Sequence, residues 1–159
     1  MKKILDAILI SSLTLILCIS NLSANEIFEA TVTKVSDGDT IWVKKNKEII
    51  KIRLGEIDAP ELSQEYGKKS KNYLEKLILN KKIIVNSTIK DKYGRTIAVI
   101  FFNDKNINKE MVQNGLAWVY DRYVKDKSFY DAQNEAKAKK INIWSDINPT
   151  EPWVYRKTN

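Results

Sequence analysis

The chain has 159 residues, 43% of them apolar, which is enough for one domain with a modest hydrophobic core. It contains no histidine, so imidazole cannot act as a general base or a metal ligand, and most zinc sites are excluded. The formal net charge of +7, from 27 Lys and Arg against 20 Asp and Glu, is compatible with a polyanionic partner.

Residues 1–24 are predicted to be a secretory signal peptide. Lysines precede an apolar stretch that ends in small residues near Ala24, where we expect cleavage. The stretch is close to the length that spans a bilayer, so retention as a membrane anchor is an alternative. A lipoprotein acylated at Cys18 is disfavoured, because Leu17 is larger than the small residue usual before such a cysteine. We therefore expect a secreted, periplasmic or cell-surface protein.

Strands and helices are predicted along residues 25–148, which we expect to form one domain. The strand segments are rich in β-branched residues, and the helical segments place apolar residues three and four apart. Strands are expected at 27–35, 39–44, 48–54, 82–90 and 96–102, and helices at 63–80, 109–113 and 128–140. Asn108 is expected to cap the second helix, and Gly115 to follow its end. Residues 149–159 are assigned to a tail. This order indicates a mainly β, α+β domain built around a small barrel.

Two motifs that contain carboxylates flank the second and third predicted strands. The sequence Asp-Gly-Asp-Thr occupies 37–40, and Arg-Leu-Gly-Glu-Ile-Asp-Ala-Pro-Glu occupies 53–61. An antiparallel hairpin would bring Asp39 and Asp58 together, with Arg53 nearby. Oxygen ligands for a hard cation beside a guanidinium suit the handling of phosphate. Taken singly, each aspartate is more typical of a turn.

A third motif, Asp-Lys-Tyr-Gly-Arg at 91–95, predicts a tight turn that leads into a strand. With these three motifs in this order, and Asn-Ile-Trp-Ser at 142–145, the chain resembles the staphylococcal nuclease (thermonuclease) family. The resemblance extends from Glu26 to Ser145, and three ordered motifs make it specific. It implies an OB-fold barrel of five strands flanked by about three helices, with an open face that takes oligonucleotides.

The resemblance implies a calcium site. Asp39 and Asp58 match family positions that supply carboxylate ligands, and the backbone carbonyl of Ala59 matches a third ligand position. Threonine is familiar at this third position, but alanine keeps the carbonyl. Oxygen ligands in a chain without histidine favour Ca²⁺ over zinc.

The resemblance also implies three catalytic side chains. Glu61 matches the residue that positions or deprotonates the attacking water, and Arg53 and Arg95 match the pair that holds the scissile phosphate. A fork of N–H donors suits a phosphoryl transition state, and lysine would not replace it well. Alternatively, Glu61 is an ordinary surface residue before a helix, and each arginine is a solvated residue at a strand end.

Lys92, Tyr93 and Tyr123 are the predicted substrate-binding residues. Lys92 and Tyr93 match family positions beside the nucleotide, where a tyrosine could stack on a base or bond a terminal phosphate. Packing of Tyr93 on its own barrel is an alternative. Tyr120 is an alternative to Tyr123 as the second tyrosine of the pocket.

The sequence thus predicts an exported, calcium-dependent nuclease. The resemblance implies cleavage of DNA and RNA, with single-stranded or locally melted substrates favoured, and 3′-phosphate products. The alternative is a non-catalytic nucleic-acid-binding module of the same fold, but such modules typically lack members of the carboxylate and arginine set that is complete here. A basic cell-surface adhesin would explain export and charge but not the motifs. We expect a monomer, and the sequence implies no protein partner.

Overall fold

Strands and four α-helices build the part of the chain that the computed structural model describes, residues 25–158. The strands are β1 (Glu26–Val35), β2 (Thr40–Lys45), β3 (Glu48–Leu54), β4 (Ile57–Asp58), β5 (Lys82–Lys90), β6 (Thr96–Phe102), β7 (Lys105–Asn106) and β8 (Trp118–Val119). The helices are α1 (Gly67–Ile78), α2 (Ile107–Gln113), α3 (Ser128–Ala138) and α4 (Pro152–Thr158), and a 3-10 turn covers Asn142–Ser145. The predicted signal peptide lies outside the described residues. Within 25–158, no helix has the length and apolar character needed to span a membrane.

The main sheet closes into a five-stranded barrel. Antiparallel pairing joins the strands in the order β3-β2-β1-β5-β6, and parallel pairing of β3 with β6 closes the ring. In this closing pair Ile52 lies opposite Thr96, and Leu54 lies opposite Ala98. The barrel with its flanking helices confirms the predicted mainly β, OB-type fold. Strand closure also brings the end of β3 beside the start of β6.

Alternating residues of the barrel strands form its core. Fully buried positions on these strands are Val32, Ile41, Val43, Ile52, Leu54, Val85 and Ile100. Burying one such side chain contributes on the order of 1.5–3 kcal/mol to folding. The helix α1 packs on β1 through its buried face, whereas α2 and α3 pack on each other. The side chains predicted to point inward from α3, Phe129, Ala132 and Ala136, are buried.

The cap predicted for the second helix is wrong by two residues. Asn106, not Asn108, caps α2, and its side chain accepts a hydrogen bond of 3.0 Å from the backbone N of Lys109. Asn108 is fully buried instead, where its amide accepts from the backbone N of Ile100 and donates to the carbonyl of Gly55. Both asparagines therefore satisfy backbone groups, but Asn108 does so between strands.

The tail contains a helix that the sequence analysis did not assign. Pro152 is buried at the first position of α4, where a proline costs no intrahelical hydrogen bond. Trp153 follows and lies between two rings of the body, at 5.9 Å from Trp118 and 5.5 Å from Tyr120, centroid to centroid. This aromatic packing holds α4 against the barrel, on the side where β4 and β8 pair.

Candidate active site

Asp39, Arg53 and Asp58 meet at one end of the barrel. Asp39 immediately precedes β2, and its carbonyl accepts a 2.7 Å hydrogen bond from the backbone N of Leu54. The register of β2 and β3 places Thr40 opposite Arg53, so the guanidinium reaches both carboxylates. The nitrogen Nε of Arg53 lies 3.0 Å from Oδ1 of Asp39, and Nη2 lies 2.7 Å from Oδ1 of Asp58. The hairpin therefore brings the three side chains together as the sequence predicts.

Arg53 is anchored by the backbone as well as by the aspartates. Its Nη1 donates to the carbonyl of Leu54 and, at 2.9 Å, to the carbonyl of Ile57. Only 12% of the side chain is exposed. Because three hydrogen bonds and one further ion-pair contact fix one planar group, the guanidinium has little freedom to reorient. The orientation of Arg53 is thus set by the fold.

Burial raises the pKa of both aspartates. Asp39 is 6% exposed and Asp58 is 1% exposed. Desolvation raises the pKa of Asp39 to about 6, although the charge of Arg53 opposes this shift. Desolvation also raises the pKa of Asp58, against hydrogen bonding from Arg156 and the charge of Arg53. Two buried carboxylates that share the guanidinium of Arg53 favour positive charge beside them, since it offsets their desolvation.

Ala59 and Glu61 continue the same segment toward the surface. Ala59 is buried, and its backbone N donates a 2.7 Å hydrogen bond to Oδ2 of Asp39. Glu61 follows Pro60, and its carbonyl accepts from the backbone N of Gln64 at 2.8 Å. The Glu61 side chain is 39% exposed, so this carboxylate is open to solvent at the edge of the site. The segment presents one buried and one accessible carboxylate within four residues.

Arg95 immediately precedes β6, next to the closing pair of strands, and its recorded ion pair is with Asp91 and not with Asp39 or Asp58. Its Nε bonds to Oδ2 of Asp91 at 2.8 Å. Desolvation alone would raise the pKa of Asp91, but hydrogen bonds from Arg95 and from the backbone of Tyr93 lower it. The turn is therefore held by an ionised carboxylate, with Arg95 26% exposed.

The tyrosines predicted to bind substrate, Tyr93 and Tyr123, lie on the surface. Tyr93 is 72% exposed, and the ammonium of Lys92 lies 5.0 Å from its ring centroid. The interpretation of Tyr93 as a ring packed on its own barrel is therefore wrong. Tyr123 is 52% exposed, whereas Tyr120 is partly covered because Trp153 stacks on it at 5.5 Å. Tyr123 is thus the tyrosine of this pair with the more accessible ring.

Arg156 joins the site although the sequence analysis assigned it no role. Its Nη2 lies 2.8 Å from Oδ2 of Asp58, and its Nη1 lies 2.8 Å from Oε1 of Glu61. Both contacts raise the pKa of Arg156, most strongly through the hydrogen bond to Asp58. No spacing rule connects position 156 with position 58, because their contact depends on how α4 docks. The aromatic residues at 153 and 155 were the one available sign that the tail packs on the body.

Comparison with known proteins identifies the family. The model of the staphylococcal nuclease homologue family matches residues 51–146. The chain belongs to the staphylococcal nuclease family. A Haemophilus influenzae protein described as an uncharacterized endonuclease is 44% identical over 151 residues, covering 94% of this chain and 85% of its own. A Shigella flexneri micrococcal nuclease is 36% identical over 143 residues, and the match covers 83% of this chain and 82% of that protein. An uncharacterized endonuclease of Escherichia coli O157:H7 is 40% identical over 126 residues, and the match covers 79% of this chain and 82% of that protein.

Family membership supports a nuclease whose substrates are nucleic acids. The family also implies a bound metal ion. Among residues 25–158, no three His, Cys, Asp or Glu side chains converge on one point. Asp39 and Asp58 supply two carboxylates, and the adjacent carbonyl of Ala59 is a third oxygen. Hard cations such as Ca²⁺ accept carboxylate, carbonyl and water oxygens together. The donor chemistry therefore fits a hard cation that keeps part of its water shell.

Proposed function

We propose that this chain is a calcium-dependent nuclease that hydrolyses phosphodiester bonds of DNA and RNA. The observation that carries the proposal is the buried pair Asp39 and Asp58, bridged by Arg53 and followed by the accessible carboxylate of Glu61. A structural salt bridge needs neither the second buried carboxylate nor the exposed one. Membership of the staphylococcal nuclease family supports the same assignment.

The metal ligands would be Asp39, Asp58 and the carbonyl of Ala59. Bound there, Ca²⁺ would supply positive charge to a phosphate oxygen and to the attacking water. The buried carboxylates contribute their ionised form, so the protein must release any proton that they hold before the cation binds. The backbone N of Ala59, which donates to Asp39, holds one of the two carboxylates in place.

Glu61 would orient the water that attacks phosphorus and accept one of its protons. Arg53 and Arg95 would bind the phosphate oxygens on which negative charge increases in the transition state. The new bond joins the water oxygen to phosphorus, and the bond from phosphorus to the 5′-oxygen breaks. The 5′-oxygen would leave as a hydroxyl after it takes up a proton from solvent, and the 3′-phosphate would remain on the other product. No covalent enzyme intermediate is required.

Lys92, Tyr93 and Tyr123 would contact the substrate strand around the scissile phosphate. The exposed rings of Tyr93 and Tyr123 can stack on bases, which tolerates any base sequence. An unpaired strand presents its bases for such stacking, whereas a duplex hides them. We therefore propose a preference for single-stranded or locally melted nucleic acid, bound by a monomer.

Calcium removal is the direct test of the proposed function. The purified protein should degrade plasmid DNA and a single-stranded RNA in calcium and stop in excess calcium chelator, because without the cation the negative aspartates repel the negative phosphate. Calcium added beyond the chelator should restore cleavage, which excludes irreversible damage. Gel electrophoresis of both substrates is the measurement. Full activity in chelator would remove the proposed roles of Asp39 and Asp58. Binding without any cleavage would favour the nucleic-acid-binding module.

Calcium affinity should fall as the pH decreases through about 6. Burial raises the pKa of Asp39 to about 6 in the calcium-free protein. A raised carboxylate pKa means that the ionised form is kept above this pH and lost below it, so a proton then competes with calcium. For one such group, the Kd for calcium should be about tenfold higher at pH 5 than at pH 7. Titration calorimetry at both pH values gives Kd, and circular dichroism confirms the fold. Equal affinities would contradict the role of Asp39 as a ligand.

We also propose that the protein is exported through residues 1–24. The basis is the sequence pattern of the segment, since it lies outside the described residues. Intact-mass measurement on protein recovered outside the cytoplasm decides between a chain that begins near Asn25, a retained anchor and a lipid-modified Cys18.

A further inference from the structure

The helix α4 is docked on the active-site end of the barrel by contacts along its length. Before the helix, Nε2 of Gln64 donates a 2.7 Å hydrogen bond to the carbonyl of Thr150. Trp153 stacks on Tyr120 with an interplanar angle of 16°. Contacts between stacked aromatic rings of this kind fix both the position and the rotation of a short helix. The side chain one turn further on, Arg156, is thereby placed over the site.

The guanidinium of Arg156 joins two carboxylates with different proposed roles. It lies 2.8 Å from Oδ2 of Asp58, which is buried, and 2.8 Å from Oε1 of Glu61, which is accessible. With Arg53 on the other side of Asp58, charges alternate along a row from Asp39 to Glu61. Among the side chains of residues 25–158, Arg156 is the one that hydrogen-bonds both a proposed metal ligand and the proposed water-positioning residue.

Among residues 25–158, Arg156 is the single hydrogen-bonding partner of the Glu61 carboxylate. A glutamate side chain that is 39% exposed would otherwise sample several rotamers in solvent. Its carboxylate would then spend much of its time away from the water that it must orient. The planar guanidinium of Arg156 is itself held by the buried Asp58, so its hydrogen bond to Glu61 limits the rotamers that Glu61 can adopt.

We propose that Arg156 is a positioning residue, which holds Glu61 beside the metal ligand Asp58 so that Glu61 can orient the attacking water. The inference rests on the proposed nuclease function and adds the tail to the active site. Arg156 acts through Glu61, so it affects the reaction step more than it affects the binding of nucleic acid. A misplacement of about 1 Å in such a group can lower the rate by about a hundredfold.

The competing explanation is that Arg156 serves only as a cation that covers Asp58. In that case its removal would change calcium binding and leave the reaction step intact once calcium saturates the site. The two explanations differ in turnover at saturating calcium and in their dependence on Glu61. Both can be measured on the purified protein.

The test compares Arg156→Gln, Arg156→Lys and the control Lys157→Gln. Lys157 is the next residue of α4 and is exposed, and its side chain takes part in no hydrogen bond or ion pair among the described residues, so its substitution removes one charge from the same helix and no side-chain contact. Single-turnover cleavage of a short single strand at saturating calcium gives the rate, its concentration dependence gives substrate affinity, and calorimetry gives calcium affinity. Thermal unfolding confirms that each variant is folded.

Arg156→Gln should lower the rate at least about tenfold and change substrate affinity less than about threefold. The lysine of Arg156→Lys can bind one carboxylate but cannot bridge both. The cleavage rate of this variant should therefore lie between those of Arg156→Gln and the wild type. Lys157→Gln should cut at the wild-type rate. In a Glu61→Ala background, Arg156→Gln should have less than about a threefold further effect, because Arg156 acts through the side chain that is already gone.

Three results would overturn the inference while the proposed function stands. They are a wild-type rate in Arg156→Gln, a loss in that variant that additional calcium abolishes, and effects of Glu61→Ala and Arg156→Gln that multiply. A wild-type protein that does not cut in calcium would overturn the proposed function itself, and the inference with it. The wild-type control therefore separates the two failures.

Discussion

Replacing Glu61 with alanine should lower turnover on the order of a hundredfold or more, the usual size of a general-base or water-positioning effect. Affinity for a short single strand should stay near that of the wild type, because the proposed partner of Glu61 is water and not the substrate. The side chain lies at the rim and is 39% exposed, so its removal should leave the fold intact. The measurement is single-turnover cleavage beside equilibrium binding, at one salt and calcium concentration.

Glu65→Ala is the matched control for Glu61→Ala. Glu65 lies four residues after Glu61 in the same surface segment and is exposed. Its side chain has no hydrogen-bond partner among residues 25–158. Its removal deletes the same charge from the same region, so turnover should stay within about twofold of the wild type. If Glu61→Ala cuts at the wild-type rate, Glu61 has no role in the reaction. If both variants slow cleavage equally, general electrostatics and not the position of Glu61 explains the effect.

The two arginines differ as tests of phosphate binding. Arg53→Lys keeps the charge but loses contacts to two aspartates and to the carbonyls of Leu54 and Ile57. Loss of turnover in that variant would therefore combine catalysis with a disturbed site. Arg95→Lys removes a guanidinium whose recorded contacts in residues 25–158 are to the neighbouring turn residues Asp91 and Tyr93, so it separates transition-state binding from folding more cleanly.

Local pattern was sufficient to predict most of the barrel. The bounds predicted for β3, β5 and β6 coincide with those observed, because apolar and polar residues alternate along half-buried strands. The meeting of Asp39, Arg53 and Asp58 followed from the same reasoning, since a short hairpin fixes which residues of β2 and β3 lie opposite each other. Their catalytic and metal-binding roles stay predictions.

Contacts between distant segments were beyond the reach of local pattern. The position of Arg156 depends on a helix that is stable only because Trp153 packs on Trp118 and Tyr120. A seven-residue helix has little stability of its own, so propensity gave no signal for it. The start of α1 is a similar case. The predicted helix began at residue 63, but Tyr66 adopts a left-handed conformation with φ of 63° and delays the helix to Gly67.

The tight turn before α1 makes Gly67 a determinant of the position of Glu61. A Cβ atom on Gly67 would lie 1.8 Å from the carbonyl oxygen of Glu61 and 3.0 Å from Cα of Leu62. Both neighbours are backbone atoms, so no side-chain rotation can make room. Any larger residue must push the Glu61 segment away from the helix. The contact also explains why glycine stands at a buried helical position where alanine would have the better propensity.

Gly67→Ala should therefore impair stability and activity together. We expect a loss of about 1–3 kcal/mol in the free energy of unfolding, typical of overpacking, and at least a tenfold loss of turnover because Glu61 moves with its backbone. Urea unfolding and single-turnover cleavage are the measurements. Ile78→Val at the other end of α1 is the control, because it should cost about 0.5–1.5 kcal/mol and leave turnover unchanged. Wild-type turnover in Gly67→Ala would show that Glu61 tolerates displacement, so its distance to Asp58 would not limit the reaction.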